Sequence, residues 1–466
     1  MHKDFWKVTV LVVLVVVFTG IVAWILPGCD KGAFKLKKLK WFEWLGGERD
    51  TTLIAVDSTA LAEAARLPNE IEPLKAVLDK LNGMQSGQGY LRIAYFGDSI
   101  IEGDLITQQL RHNLQSRFGG AGIGFVPITS MVAGFRKTIG HEFAKNWESL
   151  SFMTPYQAAV PLGISGYTFI PRNYYTAMKA QESSLISSDD TLSAAAPPDT
   201  LAKLQRFYTN TPPWVAYQTV KSLGGANSFD RIRLFYSHSL PESRVKVSID
   251  KAAGQDFTLQ AGDGVQMLDL SQSLPVHNLR LEFAATNPLQ VYGLDFDRPA
   301  GVYVDNFPIR GYSGMYFQRI TSPVLQGFQQ YLHYDLIILH YGENISNPKV
   351  RDYGFYREAM KKTLAHLNSA LPGVPILLVS AHDRSIKSGS SYVTSPDIPF
   401  LIKAQKQVAS DNGCGFWNLF EAMGGSGSMK SYVQKRMAST DYTHFNKKGA
   451  DFVADMLTEW LLNRGK

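Results

Sequence analysis

The chain has 466 residues, of which 45% are hydrophobic and 19% are charged, and its formal net charge is +6. This length and composition exclude wholesale disorder and allow two or three domains with sizeable cores. Five lysines fall within residues 31–40, so the remainder of the chain is nearly balanced in charge. That balance argues against nucleic-acid binding, whereas the lysine run itself is suited to anionic lipid headgroups.

An uncharged apolar stretch at residues 8–26 is long enough to cross a bilayer as one helix. It predicts that residues 1–30 are a transmembrane anchor. The alternative is a lipoprotein signal, because Leu-Pro-Gly-Cys at 26–29 resembles a lipobox that ends at the lipid-accepting Cys29. The lysines after the span favour a cytoplasmic main body, but large domains can be translocated regardless of such charges. We expect the main body to lie on the extracytoplasmic (periplasmic) side.

The next segment, 31–84, reads as a juxtamembrane linker followed by helices at 57–66 and 70–82. A short apolar run at 91–96 then predicts a strand. Apolar residues at helical spacing predict a helix over 104–118 directly after it. This strand-then-helix order is the beginning of an α/β unit.

The sequence pattern changes between residues 131 and 299, where long stretches of helical periodicity are no longer found. Short β-rich runs take its place, punctuated by Gly, Pro, Asn and Ser: KLQRFYT, WVAYQTV, DRIRLFYS, RVKVSID, HNLRLEFAA and LQVYGLDFD. They predict an inserted antiparallel β-sandwich. Its many aromatic residues are first of all core, and a carbohydrate-stacking face is the second interpretation.

Alternating strands and helices return in the last third of the chain. Strands are predicted at 334–342, 374–382 and 415–420, and helices at 356–370, 398–412 and 447–463. This alternation indicates a parallel sheet covered by helices on both faces, to which the strand at 91–96 also belongs. The sequence therefore predicts one α/β domain from 85–130 plus 300–466, interrupted by the insert at 131–299.

Polar residues follow the predicted strands, at the sheet edge where ligands of open parallel sheets bind. Gly97-Asp98-Ser99 follows the first strand, Gly342-Glu343-Asn344 the next, and Asp441-x-x-His444 directly precedes the last helix. A serine hydroxyl becomes nucleophilic when a histidine removes its proton and a carboxylate orients the imidazole. His382 and Asp383 also follow a strand, but adjacent residues cannot easily make that orienting contact. Substrate contact or surface exposure is expected for them.

In these motifs the chain resembles the SGNH (GDSL) hydrolase superfamily. The resemblance implies a flavodoxin-like three-layer fold, with Ser99 as nucleophile, His444 as base and Asp441 as the acid beside it. It also implies an oxyanion hole formed by the N–H groups of Ser99 and a glycine and by the Asn344 amide. The glycine is expected within 301–314, with Gly311 favoured and Gly314 and Gly301 as alternatives.

The inserted β-sandwich adds a likeness to cell-wall polysaccharide O-acetylesterases, in which a carbohydrate-binding-module-like domain interrupts the catalytic domain. The resemblance implies a serine esterase that removes O-acetyl groups from a cell-envelope glycan, with O-acetylated peptidoglycan as the leading substrate. It implies no metal and no organic cofactor. The alternatives are a polysaccharide O-acetyltransferase with the same triad, a lipid-directed esterase, or a non-catalytic carbohydrate-binding or scaffold protein. No oligomeric state follows from the sequence.

Overall fold

The computed structural model describes residues 56–84, 87–178, 204–221, 225–284 and 288–463. The predicted span at 8–26, the lysine run and Cys29 lie outside these residues, so the anchor stays a prediction. Within the described ranges, no helix combines the length and the apolar character needed to cross a bilayer.

A five-stranded parallel sheet forms one half of the fold. Its strands are β1 (Tyr90–Gly97), β15 (Gly301–Pro308), β16 (Leu336–His340), β17 (Ile376–Val379) and β20 (Gly415–Trp417). Their order is β15-β1-β16-β17-β20, all parallel, which is the 2-1-3-4-5 order of flavodoxin-like folds. The prediction of a parallel sheet is confirmed. The predicted strand at 415–420 is wrong in its second half, because a helix begins at Leu419.

Helices cover both faces of this sheet. They are α1 (Ser58–Ala65), α2 (Lys75–Gly83), α3 (Thr107–Phe118), α4 (Ser322–Leu332), α5 (Gly354–Ala370), α6 (Ile398–Asp411), α7 (Leu419–Ala422), α8 (Ser428–Gln434) and α9 (Lys447–Leu462). Successive β1 side chains point to opposite faces, so Ile93 and Tyr95 pack with α2, α3 and α9. Ala94 and Phe96 face the core shared with α1, α4, α5 and α6. The sheet is therefore the middle of three layers.

Two antiparallel sheets occupy the region between α3 and β15. One contains β3 (Gly140–Phe143), β8 (Trp214–Gln218), β10 (Arg244–Ile249), β11 (Gln255–Thr258) and β13 (Asn278–Phe283). The other contains β2 (Gly124–Pro127), β4 (Trp147–Ser151), β5 (Tyr167–Pro171), β9 (Arg231–Ser237), β12 (Gln266–Asp269) and β14 (Gln290–Asp297). A separate hairpin is made by β6 (Tyr174–Met178) and β7 (Leu204–Tyr208).

The antiparallel region begins earlier than the predicted boundary at 131, because β2 already pairs with β14. The sheet that contains β9 and β14 packs on both of its faces. Phe235 on one face lies in the core of the parallel sheet. Leu234 on the other face lies in the core between the two antiparallel sheets. The division of the chain into the predicted domains stays a prediction.

A buried cluster of charges joins the parallel sheet to the antiparallel one. We call it the Arg92 cluster, and its members are Arg92, Arg231, Arg233, Asp295, Asp297 and Asp305. Nε of Arg92 on β1 donates to Asp305 on β15 over 2.8 Å, and its Nη1 donates to Asp297 on β14 over 3.1 Å. Arg233 on β9 donates from Nη2 to Asp295 over 2.6 Å. Three guanidinium groups thus face three carboxylates inside the protein, so each charge has an opposite partner.

Candidate active site

The site begins at the turn that follows β1. Gly97 ends the strand, and a Cβ there would lie 2.9 Å from Cδ1 of Ile101 and 3.1 Å from the carbonyl oxygen of His340. A side chain at this position would therefore crowd Ile101 and the backbone of β16, so glycine suits this close approach. The Asp98 carboxylate then caps the 3₁₀ turn Ser99–Asp104 by accepting a hydrogen bond from the Ile100 N–H over 3.0 Å.

Ser99, His444 and Asp441 form a continuous hydrogen-bonded chain. Nδ1–H of His444 donates to Oδ2 of Asp441 over 2.7 Å, which leaves Nε2 as the acceptor. The Ser99 hydroxyl lies 2.9 Å from that Nε2 and can donate to it. The structure thus brings together the three residues that the sequence predicted as a triad, although 345 residues separate Ser99 from His444.

The carboxylate of Asp441 is held by its own turn as well as by the imidazole. Its Oδ1 accepts hydrogen bonds from the backbone N–H groups of Thr443 and His444 over 2.9 and 3.0 Å. Burial alone would raise the pKa of Asp441, but the hydrogen bonds from His444 and Thr443 outweigh it and lower the pKa to about 2. The hydrogen bond to Asp441 in turn raises the pKa of His444 above its ordinary value. Asp441 is therefore ionised at neutral pH and stabilises a protonated His444.

Asn344 connects two of the loops around Ser99. Its Nδ2 donates to Oδ2 of Asp98 over 2.9 Å and to the carbonyl oxygen of Tyr312 over 3.1 Å. Burial raises the pKa of Asp98 to about 7, against the opposing effect of the Ile100 hydrogen bond. Both amide hydrogens of Asn344 are thus engaged in this structure. The predicted donation from Asn344 to an oxyanion would require one of them to be shared or released.

The three glycines predicted as alternative oxyanion donors lie in different places. Gly301 starts β15 beside Tyr90, at the edge of the sheet opposite to Ser99. Gly314 lies against the Tyr341 ring, which a Cβ would approach to 2.5 Å. Gly311 follows the end of β15 on the same edge as Ser99 and has a φ of 77° in the left-handed region. The location favours Gly311 over Gly301, and the donor role itself stays a prediction.

The segment after β17 contacts the loop that carries Asp441 and His444 and holds it in place. Tyr442 has a φ of 58°, which is unfavourable for a residue with a side chain. The backbone N–H of Ser385 donates to the carbonyl oxygen of Tyr442 over 3.1 Å. The Tyr392 ring stacks on the Tyr442 ring at 3.6 Å between centroids, with an interplanar angle of 9°. Ser385 and Tyr392 belong to the hairpin of β18 (Ser385–Ser388) and β19 (Ser391–Thr394), which therefore stabilises the loop.

A buried histidine holds the same loop one residue further along. Nε2–H of His382 donates to the carbonyl oxygen of Thr443 over 2.8 Å, and its Nδ1 lies 3.1 Å from Oε1 of Glu343. Burial lowers the pKa of His382 to about 4 and raises the pKa of Glu343 to about 8, so both groups are neutral at pH 7. Glu343 and His382 are thus neighbouring buried groups, but neither Nδ1 of His382 nor the Glu343 carboxyl makes a hydrogen bond within the described residues.

His382 and Asp383 are completely buried, so the expectation that they are exposed or contact substrate is wrong. Asp383 accepts a hydrogen bond from the Met429 N–H over 2.7 Å, which ties it to α8 rather than to Ser99. Sequence reasoning missed Glu343 as the buried neighbour of His382, although it stands between two residues of a recognised motif. Only the burial of its side chain distinguishes it, and burial cannot be read from that motif.

Among the described residues, no cluster of three or more His, Cys, Asp or Glu side chains is arranged to hold a metal ion. The prediction that no metal or organic cofactor is needed stays a prediction.

No protein-family model matches the chain, and no curated protein matches it. A solved structure of a peptidoglycan O-acetylesterase has 22% sequence identity to it, and the two superpose with a TM-score of 0.61. The fold of this chain is similar to that of a peptidoglycan O-acetylesterase. The similarity covers 84% of this chain and 95% of the other, so it includes both the parallel sheet and the antiparallel insert. The predicted likeness is therefore confirmed at the level of the fold.

Two further solved structures match with much lower TM-scores. An acetyl xylan esterase has 19% identity over 34% of this chain and 78% of its own, with a TM-score of 0.25. A family two carbohydrate esterase from Cellvibrio japonicus has 9% identity over 70% of this chain and 99% of its own, with a TM-score of 0.24. Scores this low establish no common architecture for the whole chain.

Proposed function

We propose that this protein is a serine esterase that removes O-acetyl groups from a cell-envelope glycan, with O-acetylated peptidoglycan as its leading substrate. The observation that carries the proposal is the hydrogen-bonded chain from Ser99 through His444 to Asp441 at the carboxyl edge of a parallel sheet. The choice of substrate is supported by the similarity of fold to a peptidoglycan O-acetylesterase.

The first half of the reaction forms an acyl-enzyme. His444 takes the proton of the Ser99 hydroxyl on Nε2 while Oγ attacks the carbonyl carbon of the ester. The negative oxygen of the tetrahedral intermediate is met by the N–H groups of Ser99 and Gly311 and by the Asn344 amide, which must share or release its hydrogen bond to Asp98 or to the Tyr312 carbonyl. Collapse of the intermediate breaks the bond to the sugar oxygen, which takes the proton from His444 and leaves as an alcohol.

The second half releases acetate. His444, again neutral, takes a proton from water, and the resulting hydroxide attacks the acetyl-Ser99 carbonyl carbon. The bond to Oγ breaks, Ser99 recovers the proton from His444, and acetate leaves. The ionised Asp441 stabilises the imidazolium in both halves, which its low pKa allows throughout the neutral range.

The location of the protein is also a proposal. The apolar stretch at 8–26 would anchor the chain in the cytoplasmic membrane, or Cys29 would carry the lipid of a lipoprotein. In either case the catalytic domain would face the extracytoplasmic space, where a cell-envelope glycan is accessible.

The experiment is acetate release from O-acetylated peptidoglycan by the full chain in detergent, with Ser99→Ala as the matched variant. We expect release by the wild type and its loss in Ser99→Ala, by about 10⁶-fold. A fluorophosphonate should label the wild type stoichiometrically and leave the variant unlabelled. Acetate release that persists in a folded Ser99→Ala protein would contradict the mechanism. Labelling without acetate release would contradict the substrate.

A further inference from the structure

The left-handed backbone of Tyr442 lies between two residues of the triad. Asp441 directly precedes it, and His444 follows two residues later. Its φ of 58° is costly for a residue with a side chain, because Cβ then crowds the following carbonyl oxygen. Glycine adopts this conformation without that cost, so a tyrosine here must be held in it by contacts from elsewhere.

The conformation of Tyr442 sets the direction in which the chain enters His444. The N–H groups of Thr443 and His444 both point to Oδ1 of Asp441, over 2.9 and 3.0 Å. The N–H of Tyr442 donates to the Ser439 carbonyl over 3.1 Å, and the N–H of Ser439 donates to the His444 carbonyl over 2.8 Å. If Tyr442 relaxed to a negative φ, the two N–H groups after it would turn away from Asp441. The imidazole of His444 would move with them.

The β18–β19 hairpin supplies two contacts that oppose this relaxation. The Tyr392 ring lies on the Tyr442 ring at 3.6 Å between centroids and 9° between planes. The N–H of Ser385 donates to the Tyr442 carbonyl over 3.1 Å. The side chain and the carbonyl of Tyr442 are thus both held by the same hairpin. An aromatic stack contributes a free energy of the same order as the cost of one left-handed residue.

The hairpin has a buried base from which the Tyr392 ring projects. Thr394 and Ser395, at its second end, are almost completely buried. The Gly427 N–H, directly before α8, donates to Oγ1 of Thr394 over 2.9 Å. The Ser395 N–H donates to the Arg384 carbonyl over 2.7 Å and closes the base. Tyr392 therefore meets Tyr442 from a support that is anchored independently of the triad loop.

We propose that Tyr392 is a positioning residue of the triad. Its ring holds Tyr442 in the left-handed conformation and thereby keeps His444 between Asp441 and Ser99. The inference rests on the proposed function, because it assigns a role to a neighbour of the same site. The competing interpretation is that Tyr392 only fills space against Tyr442, in which case its loss would lower stability and leave the chemistry unchanged.

The first test removes or retains the ring of Tyr392. We expect Tyr392→Ala to lower kcat for p-nitrophenyl acetate about tenfold, with KM within about twofold of the wild type. Tyr392→Phe keeps the stacked ring, so its kcat should stay within about twofold of the wild type. Tyr208→Ala is the matched control, since it removes an exposed ring from the separate β6–β7 hairpin. Its kcat should also stay within about twofold.

The second test examines whether Tyr392 acts through the backbone of Tyr442. Tyr442→Ala loses the stack and keeps the unfavourable φ, so kcat should fall about tenfold, as in Tyr392→Ala. Tyr442→Gly also loses the stack but removes the conformational cost, so it should recover most of that loss. Adding Tyr392→Ala to Tyr442→Gly should then change kcat by less than about twofold, because neither the stack nor the strain remains.

Three results would overturn the inference. One is a lowered Tm with unchanged kcat in Tyr392→Ala. Another is an equal loss of kcat in Tyr392→Ala and Tyr392→Phe, since the ring would then not be the active part. The third is a loss of about tenfold that Tyr392→Ala still causes in the Tyr442→Gly protein.

A spectroscopic measurement separates this inference from the proposed function. The Nδ1 proton of His444, held by the Asp441 carboxylate, should give a low-field proton resonance that is lost in His444→Gln. We expect it to persist in Tyr392→Phe and to broaden through exchange with water in Tyr392→Ala. This pattern in a protein that hydrolyses no ester would retain the positioning role and overturn the esterase. Esterase activity with the same resonance in both Tyr392 variants would retain the esterase and overturn the positioning role.

Discussion

The Arg92 cluster and the Ser99 triad are both networks of charged and polar groups, but they differ in exposure. In the cluster, the side chains of Arg92, Asp295 and Asp305 are completely buried. In the triad, the side chains of His444 and Asp441 are 41% and 48% exposed. A buried network in which every charge is paired resists rearrangement, whereas a network with an open side can accept a substrate and exchange protons.

The two networks are kept rigid in different ways. The triad is not held by its own burial but by neighbours that are themselves buried, such as His382 against Thr443. The Arg92 cluster joins the antiparallel region to the parallel sheet through buried ion pairs. Changes in the triad should therefore affect activity, and changes in the cluster should affect stability.

Among the variants that retain Ser99, the largest effect is expected from Asp441→Asn. Loss of the carboxylate removes the group that selects the Nδ1–H tautomer of His444, so kcat/KM should fall about 10⁴-fold. In the wild type, kcat/KM should rise with pH as His444 loses its proton, with a midpoint above the ordinary value of 6.5. Asp441→Asn should move this midpoint to lower pH, because the hydrogen bond that raises the pKa is lost.

The measurement is a pH–rate profile of both proteins with p-nitrophenyl acetate. Burial lowers the pKa of His444 and Asp98 raises it, and both effects continue to act on the midpoint after Asp441 is replaced. A profile that does not move in Asp441→Asn would contradict the assigned role of Asp441.

A smaller effect, on stability instead of activity, is expected from Arg92→Leu. The change leaves Asp295 and Asp305 buried without one of their guanidinium partners, which should lower the free energy of unfolding by about 3–5 kcal/mol. Chemical denaturation measures the loss. Arg357→Leu is the control, because its ion pair with Asp352 is solvent-exposed and 3.6 Å long. The control should lose less than about 1 kcal/mol. Equal losses in the two variants would refute the distinction between buried and exposed pairs.

The smallest effect is expected from His382, as a positioning residue. His382→Phe removes the N–H that holds the Thr443 carbonyl, so kcat should fall about 10- to 100-fold with little change in KM. His382→Gln retains a donor at nearly the same place and should recover part of the loss. Steady-state kinetics and the Tm of both variants are the measurements. Equal kcat values in the two variants, with equally lowered Tm, would mean that His382 only fills space.

The triad could be predicted from the sequence because each of its residues stands at a recognisable position beside a strand or a helix. Ser99 stands directly after an apolar strand, and Asp441 and His444 directly precede the last amphipathic helix. Because parallel strands bring their carboxyl ends to one edge, these distant residues could be placed together before the structure was known. The main strands of the antiparallel insert were accessible for a similar reason, through their alternating patterns.

The surroundings that hold the triad in place could not be predicted from the sequence in the same way. Residues 301–308 were assigned only to the stretch expected to contain the oxyanion glycine, and no strand was predicted there, whereas they form β15 beside β1. Arg92 and Asp305 look like ordinary surface charges until their burial is known. The left-handed backbone of Tyr442 and the burial of Glu343 likewise depend on tertiary packing, which local patterns do not encode.

The position of β1 has a consequence for how the protein is made. Its edge towards β15 is completed only by residues such as Asp305, which lies 213 residues after Arg92. Closing so long a loop is entropically costly, and contacts this distant in sequence form slowly. During synthesis the Ser99 turn therefore leaves the ribosome long before β15 or His444 exists. We therefore expect esterase activity to appear late in folding. A nascent chain should not hydrolyse esters before β15 and the loop that carries His444 have folded.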